Sequence, residues 1–74
     1  MWREPIKLVD AAGGALTIIG LEDAALVLRQ RWQRMPPAER AAAYRAIVVE
    51  ANGGAAKARA ALKTALLASG LHEA

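Results

Sequence analysis

The stretch that decides the fold is Val9–Leu28, VDAAGGALTIIGLEDAALVL. A pair of glycines, Gly13-Gly14, stands between two short apolar runs, and a segment with helical spacing follows. Two readings compete: a glycine-rich loop that cradles a phosphate at a helix N-terminus, or a chain reversal between two strands. A phosphate loop needs its glycines directly before the helix, so that backbone N–H groups converge on the anion. Here Ala15 to Leu21 separate Gly14 from Glu22, and they read as strand. No lysine or hydroxyl residue follows at P-loop spacing, and the pattern G-x-G-x-x-G is absent. The reversal is therefore preferred.

The reversal also sets a register. With Ala11-Ala12-Gly13 as a three-residue loop, Asp10 stands opposite Gly14. Such loops place a left-handed residue third, where Gly13 falls. Ile6 then faces Ile18 and Leu8 faces Leu16, all on one side of the hairpin. Lys7, Val9, Ala15, Thr17 and Ile19 lie on the other. A two-residue loop at Gly13-Gly14 would shift the parity and mix the two faces.

Beyond the hairpin, which spans about residues 5–20, three helices are expected. The first runs over 21–34, with Gly20 as N-cap and with Glu22 and Asp23 in the first turn, where the helix dipole favours anions. Its apolar stripe is Leu21, Ala25, Leu28 and Trp32. Pro36-Pro37 ends it and opens the second helix, 37–51, whose stripe is Ala43, Ile47 and Glu50/Ala51, widened by Tyr44 and Val48. Asn52-Gly53-Gly54 stops that helix. The third covers 55–69 with Ala58, Leu62, Ala65, Leu66 and Ser69 on one side. Gly70 then caps it, and Leu71 folds back on the last turn. The expectation is one α+β domain over 1–74, ordered β-β-α-α-α.

Several of these residues share a pattern with a known group: Trp2-x-x-Pro5-Ile6 at the start, then Ala24-Ala25, Leu28 and Arg31-Trp32 in the first helix. Tyr44 follows in the second, then Asn52-Gly53-Gly54 and Ala58-Arg59. The chain resembles the small bacterial proteins of the domain of unknown function 982 family. The resemblance implies the β-β-α-α-α fold and no catalytic residue. Gln33 stands where that family usually has proline, and Gly20 where it usually has serine or threonine. The cysteine often found in its second helix and the phenylalanine often found in its third are both missing.

Composition bounds the function. The chain has 74 residues and no cysteine, which excludes disulfides and thiolate metal sites. Nineteen of the forty-one hydrophobic residues are alanine. The longest run without a charge, Ala11–Leu21, is too short for a bilayer, which takes roughly 20 residues. The opening residues MWREPIKLVD do not read as a signal peptide, so a cytoplasmic protein is expected. The net charge of +3 is uneven: residues 1–28 carry −2, residues 29–45 carry +4, and residues 46–74 carry +1.

No catalytic set emerges. Ser69 and His72 sit at a chain end expected to be a solvated tail, and Glu22 and Asp23 point about 100° apart on a helix. No spacing of carboxylates or histidine suggests a metal, and no cofactor is implied. An enzyme is not expected. Two binding readings remain. The first is a protein–protein interaction module that self-associates. The second is a nucleic-acid-associated protein using Arg29, Arg31, Arg34, Arg40 and Arg45 at the corner of the first two helices, through phosphates held by guanidinium forks.

The expected homodimer follows from the hairpin. Two strands are marginal alone. If the helices cover only the Ile6/Leu8/Leu16/Ile18 side, then Val9, Ala15, Thr17 and Ile19 form an exposed face. Both strand edges would be open to pairing as well. Helices straddling the hairpin would remove the argument.

Overall fold

The computed structural model describes residues 2–49 and 54–73. Strands β1 (Ile6–Val9) and β2 (Ala15–Ile18) form the antiparallel hairpin. Their register pairs Ile6 with Ile18, Lys7 with Thr17, Leu8 with Leu16 and Val9 with Ala15, as the three-residue loop requires. Asp10 N–H donates to the Gly14 carbonyl at 2.9 Å, and Gly13 adopts φ +87°. Ile6, Leu8 and Ile18 are buried, Leu16 is half-buried against them, and Lys7, Ala15, Thr17 and Ile19 are exposed. The period-2 pattern has thus been sorted onto one wet and one dry face.

The helices follow as α1 (Leu21–Gln30), α2 (Pro37–Tyr44) and α3 (Ala55–Ala68). Gly20 caps α1 in an extended conformation. Asp23, in the first turn, reaches back to accept the Ile19 N–H at 3.2 Å. The first helix is shorter than expected. It gives way to a 3₁₀ turn over Trp32–Arg34, which carries the chain to the buried Met35 and the Pro36-Pro37 start of α2. The second helix also changes winding, to a π-helical turn over Arg45–Val49. Its expected end at Ala51, the stripe position Glu50/Ala51 and the Asn52-Gly53 stop lie outside the described residues.

The phase of α1 differs from the sequence reading. Its buried residues are Ala24, Val27 and Leu28, while Leu21 and Ala25 are exposed and Trp32 is half-buried at the edge of the core. The Ala24/Val27/Leu28 stripe is buried together with Ala43 of α2 and Ala58, Leu62, Ala65 and Leu66 of α3, while Ala25 and Leu26 stay outside. Trp2, 7% exposed, is the tryptophan that enters the core, and its backbone N–H donates to the Ile19 carbonyl at 2.6 Å. On α3 the expected stripe is buried from Ala58 to Leu66.

The residues after α3, expected to be a solvated tail, are exposed at His72 and Glu73 but pair with the sheet. Gly70, at φ +105°, reverses the backbone, the Leu71 N–H bonds the Leu66 carbonyl at 3.3 Å, and Leu71 is buried. This capping turn delivers His72–Glu73 as β3, antiparallel to β1, in a sheet of order β2-β1-β3. Leu8 pairs with Glu73 and Val9 with His72, so the β1 edge expected to be open is occupied there. Lys63 of α3 forms an ion pair with Glu73, and Arg59 Nε donates to the Glu4 carbonyl at 2.5 Å. Together they fasten α3 to the sheet.

Two outcomes are expected. Trp2→Ala removes a buried aromatic and costs about 3–5 kcal/mol in chemical denaturation, whereas Trp32→Ala costs less because its side chain is only partly buried at the edge of the core. The hydrogen bond and charge of Lys63 lower the Glu73 pKa below its ordinary 4.5. A carboxylate lowered in the folded state adds stability above its unfolded pKa and loses it as pH falls through the folded one. The stability difference between the parent chain and Glu73→Gln is therefore present at neutral pH and shrinks below about pH 4.5.

Candidate functional site

The glycine loop is closed by its own carboxylate. Asp10 Oδ1 accepts the N–H of Ala12 at 2.9 Å and of Gly14 at 2.7 Å. These donors would have to turn toward a phosphate, and a negative charge already occupies them. A Cβ on Gly14 would sit 2.8 Å from Asp10 Oδ2, so the second glycine serves this close approach. Nor does the Ser69/His72 pair assemble. Ser69 Oγ donates to the Leu66 carbonyl at 2.7 Å, and His72 belongs to β3. Among the described residues no group of His, Asp and Glu is placed to hold a metal ion, and no helix is long and apolar enough to cross a membrane.

The main concavity lies elsewhere, between α1 and the π-helical turn. It is a groove of about 1120 Å³. Ala25 and Leu28 of α1 and Trp32 of the 3₁₀ turn line it, with Leu26, Tyr44 and Val48 exposed along its walls. These three are 53%, 45% and 50% exposed, and Val49 beside them is 66% exposed. Large apolar side chains clustered around one groove mark an interaction surface, unlike singly scattered ones. The widened π winding puts Ala46 and Ile47 in the core and leaves Val48 and Val49 outside. Such turns recur at functional sites.

An aromatic–cation stack forms the end of this groove. The Tyr44 ring meets the Trp32 ring edge-on, with centroids 5.9 Å apart and planes at 78°. The Arg40 guanidinium lies 5.1 Å from the Trp32 ring centroid and donates to the Trp32 carbonyl at 3.3 Å. Sequence reading missed this cluster. Its signal was the Pro36-Pro37 reversal, which folds the 3₁₀ turn and α2 against each other and brings Trp32 beside Arg40 and Tyr44.

The five arginines are divided by the fold. Arg29 and Arg34 line the groove, together with Glu22, Gln30 and Gln33. Arg40 is committed to Trp32, and Arg31 is half-buried at the end of α1. Arg45 is exposed at the start of the π-helical turn and does not line the groove. The residues Val9, Ala15, Thr17 and Ile19 do share the outer sheet face. Only Ile19 among them is a large exposed apolar residue, and Val9 is half-buried beside the position of His72. The groove face is the more apolar of the two.

No protein-family model, no curated protein and no solved structure matches this chain. The likeness to the domain of unknown function 982 family thus stands on the quoted residues alone.

The loop geometry carries its own expected outcome. Titration with ATP, GTP or NAD leaves the melting temperature unchanged, because Asp10 holds the donors a phosphate would need. A ligand at a hundredfold excess over its dissociation constant would stabilise the fold by about 2.7 kcal/mol. A clear upward shift in a thermal melt would overturn this reading of Ala11–Gly14.

Proposed function

We propose that this chain is a non-catalytic protein-binding module of the cytoplasm, and that a second copy of itself is among its partners. One observation carries the reading: the exposed apolar side chains Leu26, Tyr44 and Val48 gather around a single groove on a chain too small to leave them wet without reason. A small domain with an alanine-rich interior gains little from its own core, and association is the ordinary remedy. The mixed lining of the groove suits a protein surface, with an apolar floor and a rim of Glu22, Arg29 and Arg34.

A second reading is nucleic-acid binding through the arginine corner. It is supported by Arg29 and Arg34, which make no ion pair with another described residue. Two arginines on one groove rim are few for this purpose. Arg40 is engaged by Trp32, and Glu22 stands on the same rim.

Light scattering on the purified chain at micromolar concentration separates the two. A mass of twice the monomer, reduced by Val48→Asp, is the expected result, with weak or no retention of DNA or RNA near physiological salt. A monomeric mass together with submicromolar, steeply salt-dependent nucleic-acid binding would replace the first reading by the second.

A further inference from the structure

Helix α1 has two useful sides. Ala24, Val27 and Leu28 face the core. On the opposite side, Glu22, Ala25, Leu26 and Arg29 fall at spacings of three, four and seven, so they form one stripe. All four line the groove. Neither Glu22 nor Arg29 makes an ion pair with another described residue. They stand two turns apart on the same helix, beyond each other's reach.

The stripe is symmetric about the point midway between Ala25 and Leu26. Position 22 lies as far before that point as position 29 lies after it. Its chemistry inverts at the same point, an acid on one side and a base on the other, with an apolar pair between. A stripe of this kind is complementary to its own reversed copy.

The geometry points to a two-fold homodimer in which α1 packs antiparallel against α1 of a second copy, with Ala25 and Leu26 at the axis and Glu22 paired with Arg29 of the other chain. This rests on the self-association proposed above and adds its register. An isologous contact sets residue i against j and j against i, so one Glu–Arg pair implies two per dimer. A parallel arrangement would set Glu22 against Glu22 and Arg29 against Arg29, and charge excludes it.

The apolar part fits the same arrangement. Ala25 is small and exposed, which lets the two helix axes come close at the crossing. Leu26 of each copy then lies over the other's Ala25, beside the groove between α1 and Tyr44/Val48. The aromatic stack of Trp32 and Tyr44 supplies the rigid wall that interface centres favour. A standard interface takes about 800 Å² from each partner, about one sixth of the 4784 Å² this chain exposes. An acidic peptide in the same groove would meet Arg29 and Arg34 but be repelled by Glu22, and so fits the mixed rim less well.

The test is a charge swap on the full chain, read by sedimentation equilibrium. Glu22→Arg and Arg29→Glu each set like charges together at both pairs, and each raises the dimer dissociation constant at least tenfold. The double variant Glu22→Arg/Arg29→Glu restores dimerisation. An equimolar mixture of the two single variants forms heterodimers, because one chain then offers two arginines where the other offers two glutamates. Both sites are exposed, and a thermal melt of each variant checks that it folds. Ile19→Glu, on the outer sheet face, leaves the dimer intact.

A dimeric parent chain whose dissociation constant ignores the single swaps, or a mixture without preference for the heterodimer, overturns the α1 register while self-association stands. Dissociation by Ile19→Glu alone moves the interface to the sheet. A parent chain that stays monomeric at high micromolar concentration removes self-association itself.

Discussion

The pairing of Ile6 with Ile18 and Leu8 with Leu16 is the constraint on which the rest of the structure depends. It gathers Ile6, Leu8, Leu16 and Ile18 of two four-residue strands onto one face. A slip of one residue would send one strand's apolar set to water. The loop holds it in place from both ends. Gly13 supplies the left-handed conformation a three-residue loop needs, and the Asp10 carboxylate gathers the Ala12 and Gly14 N–H groups. With that face fixed, Leu62 and Leu66 of α3 have a dry surface to cover, and Leu71 closes its end.

The hairpin could be read from sequence because its signals are digital. Parity decides which face a strand residue takes, and a glycine at the third loop position fixes parity. Helix starts were legible for a similar reason: Gly20 before Leu21, Pro37 at a first turn and Gly54 before Ala55 are local signals that need no knowledge of the core. The phase of α1 was not legible. Leu21, Ala25, Leu28 and Trp32 form a good stripe by hydrophobicity, yet Ala24, Val27 and Leu28 form the one that is buried. In an alanine-rich chain hydrophobicity ranks residues poorly, since alanines stand on both the buried and the exposed sides of the helices. Trp2 could not be placed either, because a lone residue before a strand has no periodicity to report its direction.

The third strand shows a different limit. His72 and Glu73 carry no alternation and no β-branched residue, so nothing local marks them as strand. They pair with β1 because the turn at Gly70 and the burial of Leu71 leave them beside its edge. Tertiary position creates the strand, and the Lys63–Glu73 ion pair holds it from the helix side. This edge was one of two reasons to expect association through the sheet. Its partial occupation shifts attention to the helical face.

That face follows from the phase of α1. Because Ala24, Val27 and Leu28 turn inward, Ala25, Leu26 and the Glu22/Arg29 pair turn outward, and one choice sets both the core and the exposed stripe. Ten residues make a helix that is marginal by itself, so α1 depends on what it packs against. The core holds one side through an alanine, a valine and a leucine. A second copy lying along the other side would hold it from both, and folding and association would then draw on the same helix. In that arrangement the groove is not an addition to a finished domain. It is the surface left when Ala24, Val27 and Leu28 turn α1 into the core, and Leu26, Tyr44 and Val48 are what remain for a partner to cover.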